Sequence, residues 1–187
     1  KLEHLLRDPE LKLRAARGEL AAGTIDSWLI TRLTGGRVHA TDHTNASRTM
    51  LYDLAARTWS NSLLELFGVP QSLLPTIVPS AGVVGESEAS HLGRSLAIAG
   101  IAGDQQAALF GQGCVRPGLA KNTYGTGAFL LSFTGQERPV SKSGLLLTAA
   151  CGPKGEPAYA LEGSVFIAGA AVQWLRDGLG LIARAHE

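Results

Sequence analysis

Apolar residues spaced three and four apart open the chain. Leu2–Leu6 and Leu11–Ala22 carry this helical pattern, interrupted at Asp8-Pro9, where proline breaks a regular turn. Ile25, Trp28, Leu29 and Leu33 mark one face of a helix with Thr24 as N-cap and Gly35-Gly36 as its stop, and Trp28 is expected in the core. Val38–Asp42 is short and extended. Thr41–Thr49 is a dense polar loop, of a kind that faces a site or caps something. Met50–Leu54 predicts a strand and Ser60–Phe67 a helix stopped by Gly68, before Pro70, Pro75 and Pro79 mark an irregular connection. Val83–Glu86 and Leu96–Ile101 predict strands, residues 105–111 a helix, and 118–124, 128–133 and 144–150 further extended segments. Pro157–Glu162 predicts another strand, and Gly163–Leu181 a long amphipathic helix with Trp174 on its apolar side. Strands in series followed by a helix, twice over, predict an α/β or α+β design with two related halves. A composition shift at Gly111-Gln112-Gly113 gives their boundary, and a cleft between the halves is the expected ligand site.

Two segments carry candidate chemistry. The run Ile98-Ala99-Gly100-Ile101-Ala102-Gly103 ends on Asp104, and a helix pattern opens directly after it. A carboxylate at a strand-to-helix turn, flanked by small residues, can serve as a general base; Asp104 also suits a plain N-cap. The second segment, Tyr124-Gly125-Thr126-Gly127-Ala128, reads as a tight hairpin turn. Gly125 and Gly127 are able to take positive φ, and bare backbone N–H groups with the Thr126 hydroxyl suit phosphate oxygens. Neither Gly-x-x-x-x-Gly-Lys-[Ser/Thr] nor a helix-opening Gly-x-Gly-x-x-Gly occurs, so a phosphate site here belongs to another class of fold.

Composition narrows the choices. Of 187 residues, 45% are hydrophobic and 18% charged, enough apolar material for a sizeable core. With 17 basic and 16 acidic side chains, the chain lacks the electrostatic footprint of a nucleic-acid or anionic-membrane binder. No apolar run approaches the roughly 20 residues that span a bilayer, and no secretory signal is visible. Cys114 and Cys151 have no disulfide or zinc spacing, each reads as a small buried hydrophobe, and the five histidines form no ligand pattern. A metal site built by the chain is not expected, and a reducing, cytoplasmic setting fits. The chain starts at Lys1, holds its single methionine at Met50, and ends at Ala183–Glu187 in what reads as a helix still running; it reads as an internal piece of something longer.

Taken together, Gly23–Ile30, Thr41–Thr49, Gly100–Gln112, Ala120–Gly127 and Tyr159–Gly163 resemble the FGGY carbohydrate kinases, and among them those that phosphorylate glycerol. The resemblance covers nearly the whole chain and is weakest at Lys1–Leu13. It implies an actin-like, ribonuclease-H-like ATPase fold. Residues 1–112 would end the substrate domain, and residues 113–187 would begin the nucleotide domain. It implies transfer of the ATP γ-phosphoryl to glycerol, giving sn-glycerol 3-phosphate, with Mg2+ accompanying ATP, and a homo-oligomer for the intact protein. By motif, Asp104 resembles the general base, Gln105 the residue following it at the glycerol end, and Phe129 the apolar wall against the glycerol carbons. Gly125, Thr126 and Gly127 resemble the phosphate-contacting turn, and Gly169 and Gln173 match positions near the nucleotide.

The departures matter equally. The phosphate-binding hairpin that such kinases carry near their start, the Arg-Glu pair that grips glycerol hydroxyls and the adenine pocket are not among these residues, so the piece is expected to be inactive alone. The pair Gln105-Gln106 after Asp104 favours glycerol over pentuloses and hexuloses. His91 lies where some bacterial relatives carry a phosphorylated histidine, but its surroundings match poorly and it reads as solvated. The alternatives are another sugar or polyol kinase, a non-catalytic nucleotide- or polyol-binding sensor, and motifs that merely shape a core and a hairpin. Retention of Asp104 argues against the sensor, and the polarity of the motifs against the last.

Overall fold

The computed structural model describes residues 1–141 and 144–186. The chain divides into two compact units, Lys1–Gly103 with Ala149–Pro157, and Asp104–Thr148 with Ala158–Glu187.

In the first unit, helices α1 (Leu2–Leu5), α2 (Pro9–Ala16) and α3 (Ile25–Leu33) lead into strand β1 (Ala40–Asp42) and the short helix α4 (His43–Ala46). Strands β2 (Tyr52–Asp53) and β3 (Thr58–Trp59), helix α5 (Asn61–Leu66), strands β4 (Thr76–Val78) and β5 (Ala81–Glu86), helix α6 (Ala89–Leu92) and strand β6 (Ala97–Gly100) follow. β1 runs parallel to β4, while β2–β3 and β5–β6 pair antiparallel. Local chemistry explains several boundaries. Asp8 caps α2 by accepting from the Glu10 and Leu11 amides at 2.8 and 3.1 Å, and Pro9 opens the helix where its missing N–H costs nothing. Ser60 caps α5 through the Leu63 amide. The core gathers Leu6, Ala15, Leu51, Tyr52, Trp59, Leu64, Val69 and Leu73, and the Trp59 indole donates to the Pro75 carbonyl at 2.9 Å.

Three expectations change here. Thr24 precedes α3 but makes no capping bond; its hydroxyl donates to Asp26, which also accepts from Thr41 at 2.7 Å. Trp28 is 60% exposed, because α3 buries Ser27 and Ile30 instead. A side chain at Gly23 would stand 2.7 Å from the Ser27 Cβ, so this contact is too close for a bulky face. The segment Thr41–Thr49 is not an open loop: its first residues complete β1 and α4, and Thr41, Asp42, Thr44 and Ala46 are buried. His91 lies on exposed α6, with Nε2 3.1 Å from the Arg32 carbonyl.

The half-buried His43 ring meets the Tyr52 hydroxyl at 2.7 Å through Nδ1. Burial holds its pKa below the ordinary 6.5, against the pull of Asp42 and with that of Arg57. The fold therefore favours the neutral ring. This contribution to stability is complete above about pH 6.5 and is lost as pH falls through the lower folded value. Urea denaturation at pH 7.5 and 5.5 should show an acid loss that shrinks in His43→Asn. His39, also lowered by burial, contributes in the same direction.

The second unit holds helix α7 (Asp104–Gly111), strands β7 (Ala120–Tyr124) and β8 (Ala128–Gly135), β10 (Pro157–Val165) from Ala158 onward, and helix α8 (Gly169–Gln173); β9 (Leu146–Cys151) begins in it and continues from Ala149 in the first unit. The sheet order is β7-β8-β10-β9, with β8 antiparallel to both neighbours. The long helix expected over Gly163–Leu181 does not form. β10 runs on to Val165, α8 has five residues, and a single π-type turn covers Trp174–Gly178. The β-branched and aromatic run Val165-Phe166-Ile167 favours extended backbone, Gly180 takes φ +63°, and Trp174 is 58% exposed. Residues 181–186 are turns and irregular backbone rather than a continuing helix, and Glu187 lies outside the described residues. Cys114 and Cys151 are free and buried, as expected; burial raises the Cys151 thiol's pKa, which keeps it protonated and unreactive. Among the described residues no helix is long and apolar enough to cross a membrane.

Candidate active site

The hairpin of β7 and β8 carries the glycine turn. Tyr124 pairs with Ala128 at its base, and the Gly125 amide donates to the Gly127 carbonyl at 2.8 Å across it. Neither glycine adopts positive φ, contrary to expectation; close approach is what requires them. A Cβ on Gly127 would lie 2.6 Å from the Val165 carbonyl oxygen, and one on Gly169 would lie 2.4 Å from that of Gly125. The incoming segment docks through its backbone: Ala168 and Ala170 donate to the Thr126 carbonyl at 2.8 and 3.2 Å, and Gly169 to the Gly125 carbonyl at 2.9 Å. The structure thus joins the consecutive residues Gly125, Thr126 and Gly127 to Gly169, which is distant in sequence. Thr126 is exposed above this junction. Gln173 ends α8, where its side chain hydrogen-bonds Asp177. Gly127→Ala or Gly169→Ala forces backbone apart and should destabilise the second unit by about 1–3 kcal/mol. A lowered denaturation midpoint would register it.

Asp104 is exposed at the first residue of α7, where the free N–H groups of the helix start favour a negative charge. Its Oδ2 accepts from the Gln105 side-chain amide at 3.3 Å. The Gln105 carbonyl in turn accepts from the Lys121 ammonium. Lys121 is only 2% exposed, on the inward side of β7, and also donates to the Thr123 hydroxyl at 2.7 Å and the Phe129 carbonyl at 3.4 Å. Burial lowers its pKa, opposed by Asp104 first and then by the buried Glu162 of β10. The half-buried Phe129 lies in register with Ser164 of β10, its ring 3.3 Å from where a Gly127 Cβ would stand.

One buried cation therefore ties the start of α7, which presents Asp104, to the hairpin that carries Phe129 and the glycine turn. Sequence reading assigned Lys121 no role. The available signal was a lysine between strand-forming neighbours at an inward position of an alternating strand. Gln106 behaves unlike Gln105: it is 2% exposed and donates to the Thr148 hydroxyl at 3.3 Å, so it shapes the core of the unit. No cluster of His, Cys, Asp and Glu able to hold a metal occurs among the described residues.

Comparison with known proteins gives this arrangement a context. Residues 1–111 match the model of the N-terminal domain of the FGGY family of carbohydrate kinases. The chain is 58% identical over 184 residues to the glycerol kinase of Leptothrix cholodnii, covering 98% of this chain and 36% of that protein. It is 58% identical over 174 residues to the glycerol kinase of Rhodopirellula baltica, covering 93% and 32%. The crystal structure of Plasmodium falciparum glycerol kinase with ADP superposes with a TM-score of 0.89 at 38% identity, over 97% of this chain and 37% of that one. A xylulose kinase from Rhodospirillum rubrum gives 0.72 at 26% identity, over 86% and 33%. The chain spans about a third of the length of the curated relatives it matches. The actin-like, ribonuclease-H-like architecture of those kinases is the fold of these residues, and the chain belongs to the FGGY family of carbohydrate kinases.

Proposed function

We propose that the intact protein carrying these residues is an ATP-dependent kinase that phosphorylates glycerol to sn-glycerol 3-phosphate. The observation that carries this reading is Asp104 at the head of α7 with Gln105 held beside it by the buried Lys121. Asp104 acts as general base, taking the proton of the attacking terminal hydroxyl. That oxygen then bonds to the γ-phosphorus as the bond to the ADP oxygen breaks. Gln105 presents its amide to a glycerol hydroxyl, and Phe129 offers an apolar surface to the carbons. Gly125, Thr126 and Gly127, packed against Gly169, form the turn that faces the phosphates, and Gln173 lies on the nucleotide side. Such a transfer depends chiefly on alignment and on stabilising spread negative charge. Mg2+ would enter with ATP as part of the substrate and would offset the negative charge of the phosphate oxygens.

Residues 1–112 close the substrate domain and 113–187 open the nucleotide domain in this reading, with glycerol as the small-molecule partner. The intact protein would work in the cytoplasm, as a homo-oligomer, without nucleic acid or a membrane span. ADP release by the intact protein, measured with glycerol, xylulose or gluconate, tests the assignment. Turnover specific for glycerol supports it, turnover with a sugar instead moves the substrate, and none with any acceptor contradicts it.

A further inference from the structure

The buried polar residues Asp42 of β1 and Thr44 of α4 reach the chain just ahead of Asp104. Between β6 and α7 the chain runs through Ile101-Ala102-Gly103 without regular structure. A short stretch of small residues has little side-chain packing to hold it. Two bonds hold its backbone. The Ile101 amide donates to the Ser80 carbonyl at 2.9 Å, and the Gly103 amide donates to the Thr44 hydroxyl at 2.8 Å.

Both anchors converge on one carboxylate. Asp42 is fully buried and accepts from the Ser80 hydroxyl at 2.6 Å, from the Thr44 hydroxyl at 2.7 Å and from the Asn45 side-chain amide at 2.9 Å, besides the Thr44 and Asn45 backbone amides. An ionised carboxylate only accepts, so the Thr44 hydroxyl must give its single proton to Asp42. Its lone pair is thereby turned to the Gly103 N–H. The bond order is fixed along the chain Gly103 to Thr44 to Asp42.

We infer that Thr44, oriented by Asp42, is a positioning residue that holds the backbone immediately ahead of Asp104 and so places the base. Burying an acid and a threonine solely to cap the four-residue α4 would not require the hydroxyl to reach Gly103. The inference rests on the kinase reading for its effect on turnover, because displacement of a reacting group by about 1 Å can cost on the order of 100-fold in rate.

The test compares Thr44→Val, which keeps the shape and removes the hydroxyl, with Thr44→Ser, which restores it, in the intact protein. Thr44→Val should lower kcat about 10- to 100-fold with KM for ATP within about twofold, and should speed exchange of the Gly103 amide about tenfold or more. Thr44→Ser should recover both. Equal behaviour of the two variants, or Thr44→Val with unchanged kcat and Gly103 exchange, overturns the inference. If Thr44→Val fails to fold, the unsubstituted protein decides: a protected Gly103 amide supports the anchor, and exchange at the random-coil rate refutes it. Absence of phosphoryl transfer in the unsubstituted protein would defeat the kinase reading alone, leaving amide exchange to judge the anchor.

Discussion

Asp104→Asn in the intact protein should lose about 10²–10⁴-fold in kcat while the Kd for ATP stays within about twofold. The substitution keeps the size of the side chain and its place at the start of α7. What it removes is the capacity to take a proton. Asp104 is exposed, so the change should lower the denaturation midpoint only slightly, through the negative charge lost at the start of α7 and beside Lys121. That separates loss of a base from loss of a fold. Stopped turnover with intact ATP binding, read by isothermal titration beside a coupled assay, is the expected pair of results. Near-normal turnover would remove Asp104 from the chemistry.

Lys121→Met should have the second largest effect, on stability and on glycerol binding but not on ATP binding. The lysine is almost fully buried, and burial opposes its charge. Replacing a buried ion by an apolar side chain of similar length removes that desolvation cost. Against this, Glu162 and Asp104 lose a nearby cation, and the Thr123 hydroxyl and Phe129 carbonyl lose a donor. Removing one partner from a buried set of opposite charges costs more than it returns, so the thermal midpoint should fall by several degrees. Glycerol binding should fall with it. Gln105 loses the charged donor that holds its carbonyl, and hydrogen bonds to charged groups contribute about 1.5–3 kcal/mol. KM for glycerol should therefore rise roughly 10-fold or more, with KM for ATP little changed. Lys121→Arg, which keeps the charge but not the compact ammonium, should not rescue it. A parallel fall in stability and in affinity for both substrates would make Lys121 a purely structural residue.

The legible parts of this chain were those written in local chemistry. Asp8-Pro9 marked the break between the first two helices, Ser60 opened the helix expected over Ser60–Phe67, and Asp104 after its run of small residues marked the turn where α7 opens. Long-range contacts were harder to read. Spacing in α3 identified a periodic face but not the close approach of Gly23 that buries Ser27 in place of Trp28. The polarity of Thr41–Thr49 marked a loop that faces a site or caps something, and Asp42 does cap α4, but sequence does not reveal that it finds enough donors to be buried. The expected helix after Gly163 failed since residues 168–170 hydrogen-bond the turn at Gly125 and Thr126, contacts some forty positions away. Gly125 and Gly127 were read as a phosphate-contacting turn and Gly169 as a position near the nucleotide; what the structure shows them supplying is space between backbones rather than unusual dihedral angles. Lys121 went unassigned because its importance comes from burial, which a lone lysine does not announce.

The central claim is that Asp104 directs the γ-phosphoryl of ATP onto a terminal hydroxyl of glycerol. Incubating the intact protein with γ-labelled ATP and glycerol, with Asp104→Asn alongside, tests it most directly. The account predicts label in sn-glycerol 3-phosphate for the unsubstituted protein and almost none for the variant. Label released as inorganic phosphate, or carried to glycerol equally well by both proteins, would contradict it.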